Sequence, residues 1–223
     1  MGAARPRAWT RLPSGLRLDL INPSSEDWLD SDLAIRLSRT YRWGGESAWT
    51  EPLSVAQHCL TVLALRREWS NSPLTPEEAL HELLHDAEEG FIGFDCISPL
   101  KGVLGQPFKD VSDRLMSAIC TRYDLPAWRP DIHLIHKRAD LIAAASEAVH
   151  CAGWTHHEVR DVLGIMHPIL VVDPLVKIYD CAPWSPWPSN LAAERFLGEL
   201  SFLLKLRCEE ESHQNTNFTY GCS

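Results

Sequence analysis

One stretch, His81–Lys101 (H-E-L-L-H-D-A-E-E-G-F-I-G-F-D-C-I-S-P-L-K), sets the terms for the whole chain. It begins as a helix with two histidines and four carboxylates, then passes through Gly90 and Gly93 into a loop that reaches Lys101. At about 100° per residue, Leu80, Leu83, Leu84 and Ala87 form one apolar stripe. Glu82, His85, Asp86 and Glu89 line the opposite face, with no Lys or Arg among them. A leucine stripe has to dock on other helices. A face of unbalanced acids and imidazoles has to meet something cationic, so it is read as one wall of a metal site.

The other walls come from an ordinary soluble chain. Its 223 residues suffice for one well-buried domain, and 45% hydrophobic with 23% charged residues describes a globular protein. A formal net charge of −9 argues against binding a nucleic-acid polymer by phosphate neutralisation. A small nucleotide stays open, because a metal and a few Arg or Lys bind one locally. Seven cysteines without a C-x-x-C read as free thiols of a reducing, cytoplasmic environment. Met1–Gly15 holds Arg5, Arg7 and Arg11 but no apolar run, so no signal peptide is expected. Pro6 stands where myristoylation of Gly2 needs Ser or Thr. No run approaches the roughly 18 apolar residues of a membrane span.

Periodicity predicts helices throughout. Ser24 or Ser25 caps a short one ending near Ser38, after a possible extended piece at Leu16–Leu20. Thr40–Gly45 breaks into a loop. A helix from Ser54 to about Trp69 has its apolar stripe at Val55, Cys59, Val62 and Leu63, with His58 inward and Arg66 and Arg67 toward solvent. Thr75-Pro76-Glu77-Glu78 starts the helix of the opening stretch. A linker at Gly102–Pro107 precedes a helix from Phe108 to Arg122. A long helix follows from Asp131 to about Cys151, with its stripe at Ile132, Ile135, Ala139, Ile142 and Val149. Asp140 lies off that stripe with His136, Ala144 and Glu147. Thr155–Glu158 caps another short helix to about Leu163, Asp173–Tyr179 is a further short helix, and the last spans about Asn190–Leu206. The expected architecture is all-α with one domain. An extension covers 1–39, the helical domain 40–207 and a polar, disordered tail 208–223.

Two metal patterns overlap in the opening stretch. His81–His85 fits H-E-x-x-H, in which two histidines hold zinc and the Glu acts as base, as in metalloproteases. The third histidine of the extended pattern does not follow. His85-Asp86 instead finds partners in His58 and Asp140, giving two imidazoles and two carboxylates. That donor set suits one divalent transition metal (Mn, Co, Fe, Ni or Zn) better than Mg.

The ordered pattern His58 … His85-Asp86 … Asp140 resembles the signature of HD-domain phosphohydrolases. It is most similar to the bacterial 5′-deoxynucleotidases and phage deoxynucleoside triphosphate triphosphohydrolases. Arg42-Trp43, Val55-Ala56-Gln57-His58, His85–Glu89, Gly93–Lys101 and Lys137–Asp140 with Glu147 beyond carry the likeness over roughly Arg42–His150. Phe94 makes the Gly-Asp segment one residue longer than the pattern. The resemblance implies an HD-domain helical bundle and a metal held by His58, His85, Asp86 and Asp140. It implies that Glu89 does acid/base work and that Asp95 donates a proton. Arg42 and Lys101 would grip phosphate, and Trp43 would pack on the nucleoside. The reaction it implies is hydrolysis of a deoxynucleoside 5′-monophosphate by a homodimer or higher homo-oligomer. The alternatives are cleavage of a deoxynucleoside triphosphate to triphosphate, a non-catalytic nucleotide sensor, and the metalloprotease.

Overall fold

Helix α2 (Val55–Trp69) is the axis of the molecule. It packs against α1 (Asp30–Ser38), α3 (Pro76–Leu83), α6 (Pro130–His150) and α9 (Ser189–Thr219). The structure, a computed structural model, describes residues 8–219. The expectations for Gly2, Arg5, Pro6 and Arg7, and for 220–223, lie outside them. Ser54 caps α2 by accepting from the Gln57 amide, and every residue from Val55 to Arg66 is buried. A helix covered on all sides has to be apolar all round or pair the polar groups it carries. Gln57 links Ser185 and Trp187 of the Trp184–Trp187 segment, which is packed down rather than open. Arg66, expected toward solvent, is buried with its Nε donating to Glu82 at 2.6 Å. Arg67 bonds Glu199.

The capping box of α3 forms as its sequence predicts, with Thr75 and Glu78 exchanging side-chain and backbone bonds and Pro76 in the first turn. The helix does not run on as expected. It ends at Leu83, Leu84 and Asp86 leave the helical path (φ −105°, ψ 10° and φ −115°, ψ 24°), and α4 (Ala87–Ile92) begins anew. The break leaves the Glu82 carbonyl without a helical donor, and His85 Nδ1 takes it at 2.8 Å. Glu82 itself, expected on the polar face, is fully buried. Gly93 closes α4 in the left-handed region (φ 94°), which favours glycine. Gly90 lies against α1 so closely that a Cβ there would stand 2.9 Å from Leu37 Cγ.

Helix α5 (Ser98–Arg122) absorbs the expected loop and linker, so Lys101 sits on a helix. Its one interruption is Gly105 (φ 68°, ψ −156°), just before Pro107 restarts the turn. In α6 the inward face is mixed: Ala139 and Ile142 of the expected stripe are buried, His136 and Glu147 are buried with them, and Ile135, also placed on that stripe by periodicity, is 40% exposed. Two short helices, α7 (His156–Asp161) and α8 (Val176–Tyr179), follow. Helix α9 continues past Leu206 to Thr219, through the polar segment that lacked periodicity.

Upstream, β1 (Trp9–Arg11) and β2 (Arg17–Asp19) form an antiparallel hairpin, of which only the second strand was foreshadowed. Asp32 ties it down, accepting from Ser14 N and Oγ at 2.7 Å each and from Leu29 N at 2.9 Å. Helix α1 therefore starts at Asp30 instead of after Ser24 or Ser25. Leu12, Leu18, Trp28, Leu33 and Leu37 share one core cluster with α2, α3 and α9. Each such buried side chain contributes about 1.5–3 kcal/mol. The architecture is all-α apart from the hairpin. Among the described residues no helix is long and apolar enough to cross a membrane.

Candidate metal centre

Four elements aim at one point. Between α1 and α2 the chain makes a 3-10 turn over Arg42–Gly45, in which Trp43 takes a left-handed conformation (φ 57°, ψ 28°) that a bulky residue rarely adopts. The turn is held by Arg42 N bonding the Leu53 carbonyl and by the Tyr41–Ser54 bridge, and it sends the Arg42 side chain inward. His58 points from the middle of α2. His85 and Asp86 come from the α3–α4 break, and Asp140 and Glu147 come from the polar face of α6.

His58 Nε2 lies 3.3 Å from Asp140 Oδ1, 3.3 Å from His85 Nε2 and 3.6 Å from Asp86 Oδ2. His85 Nε2 is 3.3 Å from Asp86 Oδ2. Donors at about 2.1 Å from one ion stand about 3.0 Å apart in octahedral and about 3.4 Å apart in tetrahedral arrangement. The spacing and chemistry of these four groups therefore fit a divalent transition metal. Both rings are also tethered at the far nitrogen: His58 Nδ1 lies 2.9 Å from Glu147 Oε1, and His85 Nδ1 lies on the Glu82 carbonyl. That leaves Nε2 as the donor in each case.

The electrostatics ask for a cation. Burial works against the charge of Asp86, yet His85 and His58 hold its carboxyl well below the usual range. Burial likewise opposes charge on Asp140, and His58 and His85 keep it ionised. Burial and Arg42 disfavour a proton on His58, but Glu147 and Asp140 outweigh them and raise its pKa. His85 is raised well above its ordinary value against burial, chiefly by Asp86. In the metal-free chain the carboxylates thus favour protonation of the imidazoles. Glu147 is depressed by His58 and Arg42 despite its burial. Arg42 Nε donates to Glu147 at 3.1 Å, while its Nη1 stays 3.6 Å from Asp86 and 3.8 Å from Asp95.

Glu89 lies beside this group, 3.0 Å from Lys101 Nζ. Burial, Asp86 and Asp95 push its carboxyl up to about 9, with Lys101 pulling the other way. The carboxylate-raising groups prevail because Lys101 is 40% exposed and screened by water, whereas Glu89 is buried. Trp43 packs against both the Leu53–Cys151–Trp184 and the Ala145–Ala148–Val159 clusters, with its indole N–H buried and unbonded. Asp86 and Asp140, each 18% exposed, are where the centre opens to solvent. Cavities of about 440 and 270 Å³ lie elsewhere, beside Arg114 and beside Arg36.

The H-E-x-x-H pair is not assembled. His81 lies against Trp128 (ring centroids 4.3 Å apart), and Glu82 is held by Arg66 and His136. Two residues at the centre stood outside the sequence-derived ligand set. Glu147, open between a supporting and a solvent-facing position, anchors His58. His136, read as structural, has ligand atoms grouped with those of His85 and Asp140, all within 4.8 Å of one another. The one available signal was their shared helical face with Asp140.

No protein-family model matches the sequence. It is 37% identical over 166 residues to an uncharacterized protein of Rhodobacter capsulatus, an alignment spanning 74% of this chain and 84% of that one.

Proposed function

This chain belongs to the family of that Rhodobacter capsulatus protein, and we propose that it is an HD-domain, metal-dependent phosphohydrolase of small nucleotides, acting as a 5′-deoxynucleotidase. The observation that carries the reading is the convergence of His58, His85, Asp86 and Asp140 beside a buried Arg42 and a buried carboxyl, Glu89, whose pKa is raised by burial and by Asp86. A divalent metal held by those four residues would supply Lewis-acid polarisation of a phosphoryl oxygen and a more acidic water.

The chain's own groups do the rest. Arg42 is locked through Nε on Glu147, and its Nη1 contacts with Asp86 and Asp95 are beyond hydrogen-bond length, so Nη1 can take a phosphoryl oxygen. As water forms the new bond to phosphorus and the bond to the 5′ oxygen breaks, Glu89 gives its proton to the departing 5′ oxygen and Lys101 at 3.0 Å steadies the carboxylate that remains. One hydrogen of the water stays on the phosphate and its other proton restores Glu89. Asp95, the other proton donor that the resemblance implies, stands 3.8 Å from Arg42 Nη1. The cations at hand are Arg42, Lys101 and Lys137, each facing a carboxylate, which matches one phosphate better than three.

The test is a screen of all ribo- and deoxynucleoside mono- and triphosphates with Mn²⁺, Co²⁺, Zn²⁺ and Mg²⁺, with products identified by mass. Deoxynucleoside plus phosphate is expected. Triphosphate as product would move the substrate to the deoxynucleoside triphosphates. Binding without any released product would leave a nucleotide sensor and end the enzyme reading.

A further inference from the structure

We propose that His136 is a fifth protein ligand of the same metal, making the centre three imidazoles and two carboxylates. The inference rests on the metal-centre reading above.

His136 precedes Asp140 by one turn of α6, and residues i and i+4 share a helix face, so one ion can meet both. The ring is 2% exposed, and its centroid stands 4.8 Å from that of His85. Ligand atoms of His85, His136 and Asp140 fall within 4.8 Å of one another, as those of His58, His85 and Asp86 do. His85 belongs to both groups and joins them into one cluster.

The tether is the second observation. His136 Nδ1 lies 2.7 Å from Glu82 Oε2. His58 Nδ1 is held by the Glu147 carboxylate and His85 Nδ1 by the Glu82 carbonyl. In all three rings Nδ1 is engaged by an oxygen acceptor, an arrangement that ligating histidines share because it fixes the tautomer and leaves Nε2 as the donor. Trp128 stacks on His136 with centroids 4.7 Å apart and planes 25° from parallel, which fixes the ring's orientation.

The support is expensive for a packing role. Glu82 is fully buried, with Arg66 Nε on Oε1 at 2.6 Å and His136 on Oε2. Desolvating a carboxylate and a guanidinium is seldom a net gain over apolar side chains of the same volume. Here the buried pair positions a histidine next to Asp140, so Glu82 is a positioning residue for the centre. Five protein donors exceed a tetrahedral zinc set and suit Mn²⁺, Fe²⁺, Co²⁺ or Ni²⁺.

The experiment uses the full chain stripped by chelation. Calorimetric titration with Co²⁺ should give one tight site. His136→Ala should weaken it by about 100-fold or more and Glu82→Gln by about 10-fold, whereas His81→Ala leaves it unchanged. Pulsed EPR on the Cu²⁺-loaded wild type counts coordinated imidazoles without any variant, and three are expected. Two imidazoles, or wild-type Co²⁺ affinity in a folded His136→Ala protein, overturns the role of His136 while the four-ligand centre stands. A wild type that binds no metal overturns the centre itself, and this inference with it.

Discussion

Glu147→Gln isolates the groups that hold the centre in shape. Glu147 is 1% exposed and serves two donors: His58 Nδ1 at 2.9 and 3.1 Å from its oxygens, and Arg42 Nε at 3.1 Å. Glutamine keeps the volume but has one acceptor oxygen and an NH₂, so either His58 or Arg42 meets a donor. A lost bond to a charged group costs about 1.5–3 kcal/mol. Leaving Arg42 with no counter-ion would raise that to about 3–5 kcal/mol, but Asp86 and Asp95 remain within 3.8 Å, so about 2–3 kcal/mol is expected. Misorienting His58 should lower metal affinity about 10–100-fold. Urea denaturation of the metal-free protein and calorimetric Co²⁺ titration, both near neutral pH, read the two quantities. The pH dependence gives a further check. Glu147 has its folded pKa below the ordinary 4.5, so its contribution is present above that value and is lost as pH falls through the lower one. The stability gap between wild type and variant should therefore close on acidification. A variant that matches wild type in both stability and Co²⁺ affinity at neutral pH would refute the anchoring role.

The raised pKa values of His58 and His85 predict the opposite slope for the metal-free chain. Their protonation stabilises the fold fully below the ordinary 6.5, and that stabilisation disappears as pH rises through the raised values. Melting temperature with chelator should fall as pH rises above the ordinary 6.5, and saturating metal should flatten the slope; parallel curves with and without metal would be the wrong result. Glu89→Gln should reduce turnover about 10²–10⁴-fold and abolish the alkaline limb expected of the wild type where the raised Glu89 carboxyl loses its proton. A variant with an unchanged rate removes Glu89 from proton transfer. Gly90→Ala forces a methyl to within 2.9 Å of Leu37 Cγ and 3.1 Å of its backbone N, and should cost about 1–3 kcal/mol in urea unfolding. A cost below about 0.5 kcal/mol would show that α1 and α4 can separate freely.

Much of the local design can be read from side-chain types alone. Thr75 with Glu78 and Thr155 with Glu158 mark helix starts because capping is a short-range exchange of hydrogen bonds. His58, His85-Asp86 and Asp140 stand out because apolar periodicity gives no reason for them. What periodicity misses is which face of a helix looks inward when the interior is polar. On α6 it sends Ala139 and Ile142 inward correctly, but it also favours Ile135, which is 40% exposed, and gives no reason for His136 and Glu147 to be buried. Arg66 is misjudged for the same reason, since its partner Glu82 is distant in space until α2 and α3 pack. The break at Leu84–Asp86 has neither Gly nor Pro to announce it. It exists because His85 replaces a lost helical bond with a side-chain bond to the Glu82 carbonyl. Helix α9 shows the reverse case, a polar segment that continues a helix begun by packed residues.

Hydrolysis of deoxynucleoside monophosphates in ¹⁸O-enriched water by metal-reconstituted protein tests the central claim most directly. One ¹⁸O in the released phosphate and none in the deoxynucleoside is the predicted result, with turnover abolished by chelation and restored by metal. No release from any nucleotide, or ¹⁸O in the nucleoside, would contradict it.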